Sequence, residues 1–321
     1  MGRQIRNRRA FPKGGLRRDG SHRIRIHAGE AEVNSTGRLK IAVTGAAGFV
    51  GRYVMAELDA RGLGGIAVTR EAGRLADRLS RERIVEMDIS APGGDAYERL
   101  GRPDVVIHLA WQGLPNYKSL HHFETELPIQ YRFLKGLIDA GLPSLLVTGT
   151  CFEYGMQSGP LSESAPAKPT NPYGFAKDAL RQQLQYLQAS KAFNLTWARL
   201  FFVYGEGQPK GSIYPQLKEA VGRGDASFNM SGGEQLRDFV SVEEVARQIA
   251  RLAATGTGHG ILNICTGKPI SVRNFAERWL REKNWDIKLN LGHYPYPDHE
   301  PMAFWGTRDR LDSIPDSRAA G

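Results

Sequence analysis

Only two cysteines, Cys151 and Cys265, occur in 321 residues. So sparse a complement provides no disulfide framework and fits a reducing, cytoplasmic setting. No apolar run approaches the roughly 20 residues that cross a bilayer, so no membrane partner is expected. The N-terminal stretch also lacks the apolar centre of a secretory leader. Histidines and cysteines do not fall at metal-ligand spacings. The densest polar group, His293, Asp298, His299 and Glu300, lies in a proline-broken stretch and reads as a substrate lid, with Tyr294 or Tyr296 towards the ligand. The net charge of +9 invites a nucleic-acid reading until it is located. Ten Lys and Arg against three carboxylates fall within residues 1–38, while the rest of the chain carries 33 basic and 31 acidic side chains. The body is therefore nearly neutral. The tail has no interleaved aromatics for stacking bases, so it reads as a disordered basic extension outside the fold and not as a nucleic-acid arm.

From residue 39 onward, short β-branched runs alternate with helical spacing. "KIAVTG", "GIAVTR", "RIVEMDIS", "PDVVIHLA", "SLLVTGT" and "NLTWARLF" read as strands; Val50, Val54 and Leu58, and the stretches 119–140 and 172–191, read as helices. That alternation implies parallel βαβ units and a doubly wound α/β sheet of Rossmann type. Residues 39–203 would form mainly this dinucleotide-binding domain. Past 204 the alternation breaks: helices are expected near 213–222, 242–253 and 271–283, with strands near 236–240 and 260–264. Residues 204–321 are expected to be mainly a smaller substrate-binding lobe, interwoven with the first domain. In such sheets ligands bind outside the carboxyl ends of the strands.

The first strand runs into "TGAAGFVG", with Gly45, Gly48 and Gly51 between strand and helix. Glycine lets backbone approach a pyrophosphate, and the helix start offers free N–H groups. This context points to a dinucleotide, with Phe49 and Val50 opening the helix behind the turn. The second strand ends in Thr69 and Arg70, without the carboxylate that binds the ribose 2′-hydroxyl of NAD. A guanidinium there pairs with a 2′-phosphate, so NADP(H) is expected over NAD(H). Asp88, closing the third strand beside Ile89, is a candidate acceptor for the adenine amine or else a loop cap. Leu109, Ala110 and Trp111 end the fourth strand and complete the cofactor set with Thr148.

"TNPYGFAK" places Tyr173 and Lys177 four apart, on one helical face after Pro172. A neighbouring ammonium favours phenolate, and the tyrosine then gives or takes a proton at a carbonyl or carbinol oxygen. Many helices carry this pair by chance. Thr148 and Thr150, at the end of "SLLVTGT", supply a hydroxyl to orient that oxygen. Cys151 has no paired base and reads as packing; His121 and His122 read as solvated surface.

In order along residues 39 to about 310, "TGAAGFVG", "MDIS", "VIHLAW", "TGTCFEYG", "NPYGFAK", "RLFFVYG" and "GGEQLRDFVSVEEVA" resemble the extended short-chain dehydrogenase/reductases, in the NAD-dependent epimerase/dehydratase group acting on nucleotide sugars. The resemblance implies Thr150, Tyr173 and Lys177 as catalytic residues. It also implies a substrate diphosphate or nucleotide on Arg237, Trp111 and Gln112 beside the nicotinamide and sugar, a structural His108, and a homodimer through the 119–140 and 172–191 helices. Phe152 and Phe202 join Gln112, Thr150, Tyr173 and Arg237 as substrate candidates, although Phe202 stands where relatives carry a polar Asn. The Asp-Glu pair of sugar dehydratases is replaced by Cys151 and Phe152, and Glu153 is one place out of register. What remains most resembles the branch that reduces 4-keto-6-deoxyhexoses on dTDP or CDP with NADPH. A nucleotide-sugar epimerase and a non-catalytic NADP-binding regulator are the alternatives.

Overall fold

The computed structural model describes residues 39–298 and 300–316. The expected basic extension and His299 lie outside the described residues. Seven strands form the main sheet: β1 (Ile41–Thr44), β2 (Ile66–Thr69), β3 (Ile84–Glu86), β4 (Val105–His108), β5 (Ser144–Thr150), β6 (Asn194–Leu200) and β7 (Gly260–Ile264). Their order is β7-β6-β5-β4-β1-β2-β3, and each neighbouring pair is parallel. This is the Rossmann order, and it reverses between β1 and β4. β1, β4 and β5 are buried along their whole length. A parallel strand covered on both faces has no solvent side, which is why these segments read as continuous apolar runs.

Six helices matter here: α1 (Phe49–Ala60), α2 (Leu127–Asp139), α3 (Pro172–Gln188), α4 (Ile213–Arg223), α5 (Val242–Ala253) and α6 (Val272–Lys283). Val54 and Leu58 of α1 and Val245 and Ile249 of α5 pack with Ile41, Val43 and Ile107 on one face of the sheet. Phe133 and Leu137 of α2 and Leu180 and Leu184 of α3 pack with Ala42, Val106, Leu145 and Val147 on the other. The alternation of inward faces along each strand makes this division. A separate core joins Leu217 and Ala220 of α4 to Phe275 and Trp279 of α6, with Phe228 and Ile287. Strand β7 and helix α5 thus complete the main sheet and its covering although they lie beyond residue 203.

Two elements differ from the sequence expectation. The stretch 119–140 is not one regular helix: a π-turn, His122–Glu126, precedes α2. Its wide turn brings His122 and Glu126 inward, both buried. The expected strand at 236–240 is two short strands, Leu236–Arg237 and Phe239–Ser241, in different two-stranded sheets. Asp238 between them is buried, and its carboxylate accepts Thr266 N, Thr266 Oγ1 and Gly267 N at 2.7, 2.6 and 2.9 Å. Those bonds tie Asp238, at the break between the two strands, to the 266–267 turn.

Candidate active site

At the switch point, β1 turns into α1 through residues 45–48. A Cβ on Gly51 would lie 2.2 Å from Gly45 O, and one on Gly45, whose φ is +72°, would lie 2.8 Å from Ala110 N. The turn is therefore too close-packed for side chains. Gly48 caps α1 with no side-chain acceptor, so the first N–H groups of the helix remain available to an anion. The groove above is lined by Gly45, Gly48, Arg70, Ile89, Leu109, Ala110 and Trp111 from the expected cofactor set, by Gln112 from the expected substrate set, and by Ala47, Thr69, Arg74 and Met87 in addition. These residues fit a dinucleotide. Phe49 and Val50 sit at the start of α1, half-buried and behind the groove. The Asp88 carboxylate accepts Ser90 N at 2.9 Å, which holds its pKa low, so it caps its own loop. Gln112, expected beside the sugar, here accepts from Arg70 Nη1 at 3.1 Å. Arg74 went unnoticed in the sequence because it follows β2 in a 3-10 turn, whose period returns it to the groove mouth.

The residues expected to transfer the proton come together from two elements, Thr150 from the end of β5 and Tyr173 and Lys177 from α3. Asn171 caps α3 by accepting Gly174 N at 2.8 Å, with Pro172 at the first helical position. A Cβ on Gly174 would meet Phe152 O at 2.6 Å, so the start of α3 lies directly on the turn that follows β5. Tyr173 is thereby set beside Thr150, its N–H donating to Tyr117 O at 3.2 Å. Lys177, one turn on, is buried; its Nζ donates to Thr148 O at 3.0 Å and lies 4.0 Å from the centre of the Trp111 ring. Burial lowers the Lys177 pKa to about 7, opposed by the charges of Glu153 and Glu126.

One expectation is corrected here. Tyr173 is not shifted towards phenolate. Burial raises its pKa, Tyr117, Glu153 and Cys151 add to the rise, and the hydrogen bond with Thr150 opposes it. The reason is placement: the Lys177 ammonium is 6.0 Å from the centre of the Tyr173 ring and is bonded to a backbone carbonyl instead. Tyr173 is thus held in its proton-donating form.

Buried polar groups that sequence reasoning passed over hold this arrangement. Glu153, discounted because of its register, is wholly buried and accepts Thr150 N at 2.9 Å, Trp197 Nε1 at 2.9 Å and Arg199 Nε at 2.7 Å. It closes a capping box with Thr150, whose hydroxyl accepts Phe152 N at 3.3 Å. The signal was present as Thr-x-x-Glu. Glu126 accepts Gln112 N at 3.1 Å and Gln130 Nε2 at 2.8 Å. Gln130 in turn accepts from His108, whose other nitrogen meets the Thr44 hydroxyl at 2.8 Å. Burial lowers the His108 pKa to about 3, so it stays neutral and ties β1 to β4. His122, expected on the solvated surface, is buried against Trp111. Cys151 is buried among Tyr154, Phe201, Cys265 and Phe304, and burial raises its pKa, consistent with packing.

Beyond Tyr173, the rings of Tyr117, Phe152, Phe202 and Phe304 form an aromatic wall running from Tyr173 to Arg237. The Arg237 guanidinium lies over Phe202 and Phe304, 5.4 and 5.1 Å from their centres, and its Nη2 meets Glu300 at 2.8 Å. Lys118 and Asp298 pair at 2.8 Å, linking the loop after β4 to the 291–300 segment. Among the described residues no group of His, Cys, Asp and Glu is placed to hold a metal, and no helix is long and apolar enough to cross a membrane.

The sheet order, the glycine turn and the Thr150–Tyr173–Lys177 set define an extended short-chain dehydrogenase/reductase. More particularly, the model of the NAD dependent epimerase/dehydratase family matches residues 41–265, and the chain belongs to that family of nucleotide-sugar-modifying enzymes. It is 31% identical over 272 residues to the dTDP-6-deoxy-L-talose 4-dehydrogenase (NAD(+)) of Aggregatibacter actinomycetemcomitans, covering 84% of this chain and 100% of that protein. It is 27% identical to the dTDP-6-deoxy-L-talose 4-dehydrogenase (NAD(P)(+)) of Kitasatospora kifunensis, over 82% of this chain and 84% of that one. Among solved structures, MoeE5 in complex with UDP-glucose and NAD superposes with a TM-score of 0.71 and 27% identity, over 86% of this chain and 91% of that one.

Proposed function

We propose that the protein transfers hydride between a nicotinamide dinucleotide and C4 of a dTDP- or CDP-linked 6-deoxyhexose, reducing a 4-ketone to the alcohol with NADPH. The observation that carries this reading is the convergence of Thr150, Tyr173 and Lys177 at the strand ends beside the glycine groove. When bound, NAD(P)H would supply the hydride, and in the reverse direction NAD(P)+ would accept it. Tyr173 donates its phenolic proton to the sugar oxygen as that oxygen becomes a hydroxyl. The Thr150 hydroxyl orients the same oxygen. Lys177 offers its ammonium to the ribose hydroxyls.

Relatives named for the 4-dehydrogenation of 6-deoxytalose support C4 as the reacting carbon, and their names describe the oxidative direction of the same step. The preference for NADPH is supported by two guanidiniums, Arg70 and Arg74, at the groove mouth, where a 2′-phosphate would lie. The nucleotide would be held by the lobe formed mainly from 204–321. For Arg237 to bind its diphosphate, the bond to Glu300 must open first.

NADPH and NADH absorbance followed with a panel of dTDP- and CDP-4-keto-6-deoxyhexoses, and in reverse with the 6-deoxyhexoses, tests this. Cofactor-dependent conversion of a 4-ketone is the expected result. No consumption with any of them, together with NAD that co-purifies and supports turnover without addition, would replace the reductase with an epimerase.

A further inference from the structure

Lys177 is buried; its ammonium donates to one backbone carbonyl, lies 6.0 Å from the Tyr173 ring centre, and sits closest to one aromatic face, that of Trp111, at 4.0 Å. That face is itself held. The indole N–H can only donate, and it lies 3.1 Å from His122 Nδ1. Nδ1 therefore accepts, the ring carries its proton on Nε2, and Nε2 donates to Asn116 O at 2.9 Å. The two rings stack with planes 27° apart. His122 is 0% exposed, and burial lowers its pKa, so the neutral tautomer that this geometry needs is the stable one. Its ring also lies 5.2 Å from that of Tyr173.

We propose that His122 is a positioning residue for proton transfer: by fixing the Trp111 indole between its own Nδ1 and the Lys177 ammonium, it keeps that ammonium charged and in place beside Tyr173. A cation on an aromatic face is stabilised most when both are out of water. Losing the face removes one of the few groups that offset the desolvation of Lys177. The other titratable groups around the ammonium are Glu126 and Glu153, which favour its charge, and His108 and Tyr173, both neutral. The inference rests on the roles given above to Tyr173 and Lys177.

The test has one arm that needs no substrate. In protein labelled with 13C at lysine Cε, the Lys177 signal, assigned by its loss in Lys177→Met, is titrated in wild type, His122→Leu and His122→Gln. The Gln amide reproduces both bonds, accepting from the indole and donating to Asn116 O. The midpoint is expected to fall by about one pH unit in His122→Leu and to return in His122→Gln. The indole N–H signal, assigned with Trp111→Phe, should move in the Leu variant and return in the Gln variant. In turnover, kcat should fall about tenfold in His122→Leu with the KM for the sugar nucleotide unchanged, and recover in His122→Gln. If His122→Leu does not fold, Trp111→Leu removes the face itself and must lower the midpoint at least as far. An unchanged Lys177 midpoint in the folded variant overturns the proposal. The wrong sugar in the assay would leave the titration arm intact.

Discussion

Glu153 and Arg199 meet at 2.7 Å with 0% and 2% of their side chains exposed. Through this pair β6 holds the turn that carries Thr150, because the same carboxylate accepts Thr150 N. Stranding one member of a buried ion pair costs about 3–5 kcal/mol, since the other charge is left desolvated. Glu153→Ala should therefore lower the unfolding free energy in urea by about that amount, and adding Arg199→Met should recover part of it. A loss below about 1 kcal/mol in the single variant would mean that the pair does not hold the turn.

Tyr173→Phe removes the proton and little else, because the ring contacts to Tyr117 and Trp111 survive. The turnover number should fall by about 10²–10⁴-fold. The dissociation constant for NADPH, read by fluorescence titration, should stay within about twofold. Near-normal hydride transfer in this variant would remove Tyr173 from the mechanism.

Lys177 links stability to pH. Its pKa is about 7 in the folded protein, against an ordinary value of 10.5. Between those two values the unfolded chain binds a proton that the folded chain does not, so this group makes stability rise with pH, by at most about 1.4 kcal/mol per unit. Below about pH 7 both states are protonated and its contribution is at its least favourable. The stability advantage of Lys177→Met over wild type should thus be largest near pH 6.5 and shrink by pH 9.5 in paired urea titrations. An advantage independent of pH would place the lysine's titration elsewhere.

Arg70 and Arg74 make a cofactor prediction. Replacing both by Ala should raise the KM for NADPH by about tenfold or more, because charge-assisted bonds to a phosphate are lost, while the KM for NADH stays within about twofold. The ratio of kcat/KM for the two cofactors is the measurement. Equal losses for both would mean that the arginines do not meet a 2′-phosphate.

Much of this was legible in the chain because it is encoded locally. The order of β-branched runs, the glycines of the first turn, and Pro172 with Asn171 ahead of Tyr173 each express a short-range rule: a buried parallel strand, a close backbone approach, a helix start. The family followed from such segments in their order, and the matched region from 41 to 265 agrees. What could not be read were groups defined by burial. His122 stands beside other polar residues and looks solvated, yet a π-turn carries it into the site. Glu153 is one place out of register for the dehydratase role and looked idle, yet it anchors Thr150.

The sequence by itself determined the sheet, the glycine turn and which residues are proposed to transfer the proton, because backbone conformation and side-chain spacing are properties of neighbours along the chain. Only the tertiary structure decided their charge states. Tyr173 remains a protonated donor and Lys177 is poised near neutrality because each has been taken out of water by residues far away in sequence. Desolvation, unlike spacing, exists only once the chain has folded.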